Sequence, residues 1–139
     1  MKTFVVLAVS IVLVGILFCP TVMSAPSMPA DIQMVQPDPS LPKELSAFFG
    51  KWEGSGIGSV FLIVEKIDEE KASLYYYRGP GGPPDVVTGW IRYEANVSKY
   101  RGKYKLTFQD RLGPAEVTLK GEYLSIDSKF GGTRLKRVE

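Results

Sequence analysis

The chain has 139 residues, with 17 lysines and arginines against 15 aspartates and glutamates, a single cysteine and no histidine. A charge balance this even gives no electrostatic footprint for a nucleic acid or an anionic surface. Without histidine, and with its one cysteine at position 19, the chain has no hydrolase triad of the usual kind, no intramolecular disulfide and none of the commonest metal ligands.

The first 25 residues read as an export signal. Lys2 precedes an apolar run from Phe4 to Phe18, and small residues come next at Thr21, Ser24 and Ala25. A charge, an apolar stretch and a small-residue exit mark residues 1–24 as a signal peptide cleaved after Ser24. Two other readings exist. Cys19 fits a lipoprotein cysteine poorly, because Phe18 before it is bulky. The segment also matches an uncleaved anchor, since a bilayer needs about 20 apolar residues. Either way the domain is exported, to the periplasm or beyond. The N-terminal segment is the only expected link to a membrane.

Roughly 115 residues remain, enough for one domain with one modest core. Residues 25–42 carry prolines at 26, 29, 37, 39 and 42 and show no apolar period, which predicts an extended, disordered spacer. The folded domain is expected at 43–139. Leu45, Phe48 and Phe49 share one face of a short helix over 41–49, with Ser40 as its cap, placed to close the bottom of a barrel.

From Gly50-Lys51-Trp52 onward the period changes to two. Glycine lets the chain bend tightly into a first strand at 51–56, and tryptophan serves as a plug. Tyr104, Leu106 and Phe108 alternate with Lys105, Thr107 and Gln109, and Ala115, Val117 and Leu119 alternate with Glu116, Thr118 and Lys120. Further strands are expected at 60–67, 72–78, 86–97, 123–128 and 133–138. Short connections rich in glycine and acids join them, and none is long enough for a helical crossover. The eight strands predict an all-β fold, a single antiparallel up-and-down barrel, because closure removes unpaired edges. Arg134 and Arg137 lie in the last strand, and Arg137 shares a face with Leu135. Arg137 is therefore the arginine expected to lie across Trp52 and close the base, with Gly50 beside it.

The segments Phe49-Gly50-Lys51-Trp52-Glu53-Gly54, 62–68, 72–76 and 135–138 resemble small bacterial lipocalin-like exported domains of the calycin type. The resemblance implies an up-and-down barrel and, for the wider group, binding of a small apolar molecule. The chain is shorter than the classical members and lacks their cysteines.

Candidate ligand-lining residues are Tyr76, which shares a face with Ala72 and Leu74, together with Tyr93, Tyr104 and Phe108. Packing and cross-strand aromatic pairing is the reading that weighs more for the same residues. The loop Gly79-Pro80-Gly81-Gly82-Pro83-Pro84 joins two strands at one barrel mouth, and Trp90 falls on the outer face next to it. The acids fall on outward positions or in turns such as Asp68-Glu69-Glu70, so no catalytic residue, cofactor or metal is expected. Two functions fit this sequence. One is a barrel that binds a small hydrophobic ligand in its lumen. That is the function expected first; the alternative to it is a non-enzymatic envelope interaction module with a self-filled barrel, working through the 79–84 loop and the Trp90 surface.

Overall fold

The computed structural model describes residues 26–56, 58–81 and 88–139. The signal segment, residues 82–84 of the glycine-proline loop, and Val86 and Val87 of the expected fourth strand lie outside the described residues. One short helix, α1 (Lys43–Ser46), precedes eight strands: β1 (Gly50–Gly56), β2 (Gly58–Ile67), β3 (Lys71–Arg78), β4 (Gly89–Tyr100), β5 (Lys103–Asp110), β6 (Gly113–Lys120), β7 (Tyr123–Ser128) and β8 (Gly131–Val138). Each strand pairs antiparallel with the next, and β1 pairs with β8 to close the barrel. The predicted all-β, eight-stranded up-and-down barrel is the observed fold, and its architecture is compatible with the calycin type.

The seam between β1 and β8 depends on a close approach. A side chain at Gly54 would put its first carbon 2.3 Å from the Arg134 carbonyl oxygen, so only glycine lets the two edges meet there.

The helix is shorter than the sequence predicts. Pro42 stands at its N-terminus and no side chain caps it. Ser40 is engaged elsewhere, its amide donating to Asp38 Oδ1 at 2.8 Å. The last turn tightens instead, with the Phe48 and Phe49 amides reaching carbonyls three residues back. That turn directs Leu45 and Phe48 into the lower end of the barrel, where both are buried.

The chain order fixes two ends. The lower end carries α1 and the β2–β3, β4–β5 and β6–β7 turns; the upper end carries the β1–β2, β3–β4, β5–β6 and β7–β8 connections. Between them the inward side chains of alternate positions form one core, including Leu62, Val64, Leu74, Leu106, Val117, Leu124 and Leu135. Glu65 follows the inward Val64 on the outer wall, and a bulge between Val64 and Lys66 keeps Lys66 outward as well and returns Ile67 to the core.

Residues 26–41 correct the expectation of a disordered spacer. They descend the outer wall of β4, β3 and β2 as a strap. Near its start the Ser27 carbonyl accepts a hydrogen bond from Trp90 Nε1 at 2.9 Å. Lower down the Gln33 amide donates to Glu65 Oε2 at 3.1 Å and the Val35 amide to the Glu65 carbonyl at 2.8 Å. Ile63, Glu65 and Tyr75, although on the outer wall, are buried at 3%, 2% and 4% exposure. The prolines suit this role as well as a spacer, because a docked extended strap also has no use for a helix or a sheet ladder.

Candidate functional site

Three groupings of side chains stand out, one at each end of the barrel and one on its wall. At the lower end Trp52 is buried at 1% exposure and donates its indole N–H to the Phe48 carbonyl at 3.0 Å. The Arg137 guanidinium lies 4.2 Å from the Trp52 ring centroid and donates to the carbonyls of Phe49 and Ala47 at 2.7 and 2.6 Å. Arg134, the other arginine of β8, lies over Tyr123 instead. Tyr104 also belongs to the lower half, half-buried with Lys99 Nζ 4.7 Å over its ring.

The upper mouth gathers the other three candidate aromatics. Tyr76 and Phe108 meet edge to face at 5.8 Å, and Tyr93 lies 4.8 Å from Phe108. Above them runs a polar bridge. Arg78 Nη2 pairs with Asp110 Oδ2 at 2.9 Å, and Arg78 Nε donates to the Tyr76 hydroxyl at 3.1 Å. The Tyr93 hydroxyl donates to Asp110 Oδ1 at 2.7 Å, and the Arg111 amide donates to the same oxygen at 2.8 Å. Asp110 is only 8% exposed, so its carboxylate depends on these partners for solvation. Burial, and then the adjacent Asp110 carboxylate, hold the Tyr93 phenol far above its ordinary pKa, and burial raises that of Tyr76.

Arg78 and Asp110 are functional-looking residues that the alternation of apolar faces did not single out. Each extends a period-two face by one step, Arg78 from Tyr76 and Asp110 from Phe108, and both fall at the same rim. That extension was the available signal. Their pairing was not, since it arises only once β3, β4 and β5 are side by side.

The third grouping is on the outer wall near the upper end. Phe61, Tyr77 and Trp90 pack together, with ring centroids 5.8 Å apart for Phe61–Tyr77 and 5.2 Å for Tyr77–Trp90. All three remain partly exposed. Trp90 faces outward as expected, but the strap covers part of it and satisfies its N–H. Below it, Arg92 pairs with the buried Glu65, and Asp31 of the strap faces the Tyr75 hydroxyl. That hydroxyl is buried and closes no hydrogen bond of full geometry; the facing Asp31 carboxylate raises the Tyr75 pKa, and the phenol in turn lowers that of Asp31.

Among the described residues no group of three or more aspartates, glutamates, histidines or cysteines is placed to hold a metal ion. No family model matches this chain, and no curated protein or solved structure matches it either.

Proposed function

We propose that the chain is an exported, lipocalin-like domain that works as a non-enzymatic envelope interaction module. The barrel is a self-filled scaffold, and contact is made from its upper end, where Trp90 lies at the start of β4 opposite Tyr77 at the end of β3. One observation carries this reading. The inward aromatics at the mouth are packed on one another, and the Arg78–Asp110 pair bridges above them with its hydrogen bonds mutually satisfied. Admitting a ligand there means breaking a nearly buried ion pair, which costs about 3–5 kcal/mol when one partner is left alone.

Binding of a small hydrophobic ligand is the second reading. Its support is Tyr93, which is half-buried at the mouth and lies against Phe108, so that rotation of these two rings would open a path to an apolar interior.

Native mass spectrometry of the protein purified from its host separates the two. The expected result is the mass of the bare chain, with no rise in thermal midpoint across a panel of fatty acids. A retained small molecule, or a rise that Tyr93→Ala or Phe108→Ala abolishes, would overturn the scaffold reading in favour of the ligand-binding one.

A further inference from the structure

We infer that the outer face of β8 holds a binding site for a small organic anion, a carboxylate or phosphate carried on an aromatic or short apolar body. The site lies on the barrel wall, apart from the lumen and from the upper-end contact surface.

Arg134 is the arginine of β8 that the barrel does not use for closure. Ser125 stands directly across from it on β7, yet its guanidinium lies 4.3 Å from the ring centroid of Tyr123, further down the same strand. Lys136 stands directly across from Tyr123 and leaves the same outward face of β8, about 6.7 Å along the strand from Arg134. The diagonal lean of Arg134 therefore brings two cations to one aromatic ring. The ion pairs among the described residues use Lys71, Arg78, Arg92 and Lys105, so neither of these two cations is neutralised by a carboxylate. Arg137 adds a third charge below them, but both of its Nη atoms are committed to the Phe49 and Ala47 carbonyls.

These cations border open space. A groove of about 690 Å³ runs between β8 and the β6–β7 turn, with Leu119, Glu122, Tyr123, Arg134, Lys136 and Arg137 among its lining residues. A second groove of about 480 Å³ opens on the other side of Arg134 and Lys136, over Glu53 and Phe61. The first has the size of a small-molecule site. Its composition separates a head from a body. Leu119 and Tyr123 offer an apolar floor, while the guanidinium and the ammonium offer the forked and the point charge that carboxylates and phosphates take. Glu122 and Glu53 line the grooves without closing an ion pair. They repel any anion placed away from Arg134 and Lys136, so a ligand with one charged end fits better than one charged along its length.

NMR titration of the protein with phenyl phosphate is expected to shift the amides of Leu119, Tyr123, Arg134 and Lys136, with a dissociation constant of about 1 mM or below. Arg134→Gln and Lys136→Gln are each expected to weaken binding roughly tenfold. The thermal midpoint should change little, because both side chains are exposed and lie outside the closure contacts. Lys99→Gln, which removes the cation stacked on Tyr104, should leave the affinity as it is. Benzoate identifies the head group: tighter binding than phenyl phosphate names a carboxylate, weaker binding names a phosphate, and either upholds the site. Inorganic phosphate is expected to bind roughly tenfold more weakly than phenyl phosphate, having no ring to lay on Tyr123. Inorganic phosphate binding as tightly would overturn the inference. So would a loss in Lys99→Gln equal to that in Arg134→Gln, since the barrel then attracts anions only through its surface charge. The absence of shifts at these amides with both aromatic anions would overturn it as well.

Discussion

Arg137 covers Trp52 from the last strand and ties that strand to the exit of α1. Its ring contact at 4.2 Å and its two hydrogen bonds to Ala47 and Phe49 are made by one planar guanidinium. The carbonyls it meets are those left without partners where the helix ends. Gly50 is shaped to the same group: its φ is 123°, and a side chain there would place a carbon 2.7 Å from Arg137 Nη1. The spacing of Gly50 and Trp52 is thus a complement to an arginine at the far end of the chain.

Removing that arginine should loosen the lower end without unfolding the barrel. Arg137→Ala is expected to cost about 1–2 kcal/mol in urea denaturation, allowing for the exposure of the side chain. Arg137→Lys should recover less than half, since an ammonium cannot stack flat while donating to two carbonyls. Gly50→Ala should cost roughly 1–3 kcal/mol through its positive φ. Full stability in Arg137→Ala would remove the closure role.

Asp110 bridges the mouth from the opposite end. Asp110→Asn is expected to cost about 2–4 kcal/mol, because Arg78 keeps its charge in a nearly closed site. Replacing both partners, as Arg78→Met with Asp110→Leu, should cost less than either single change. The double-mutant cycle in chemical denaturation measures that coupling.

Alkaline titration should single out Tyr93. Its folded pKa lies well above the ordinary 10.0 of an unfolded tyrosine. The neutral phenol is therefore favoured by the fold. This contribution is complete below about pH 10 and is lost as pH rises through the folded value. Tyrosine-selective NMR should show Tyr93 still neutral as the pH rises past 10. In Asp110→Asn it should ionise earlier, yet still above the ordinary value, because burial is the larger cause.

Hydrogen exchange should report the strap. The amides of Gln33 and Val35 are expected to be protected by their bonds to Glu65. Glu65→Ala should abolish protection at Gln33, which loses its carboxylate acceptor, and reduce it less at Val35, which bonds to the backbone. Tyr75→Phe removes a buried hydroxyl that closes no hydrogen bond, so stability in urea denaturation should hold or rise, by up to about 1 kcal/mol, and should not fall. Equal exchange at Gln33 with and without the Glu65 carboxylate would dismiss the strap contact.

Much of the barrel was legible because a strand reports its two faces locally. The alternation through 103–109 and 115–120 placed Leu106, Phe108, Val117 and Ala115 inside without reference to any other strand. Strand ends were less legible: β4 begins at Gly89 among the described residues and runs on to Tyr100. The site divided in the same way. Tyr76, Tyr93 and Phe108 do meet, since each sits toward the upper end of its strand, whereas Tyr104 sits at the start of β5 and belongs to the other end.

The sequence by itself determined the strand count, the inward faces and the choice of closing residues, because side-chain period and turn chemistry act over a few neighbours. Only the tertiary structure decided that residues 26–41 form a strap, that Glu65 is a buried outer-wall carboxylate paired with Arg92, and that Arg78 and Asp110 bridge the mouth. Those features depend on closure of the barrel, which sets side by side groups that lie far apart along the chain, where no local pattern joins them.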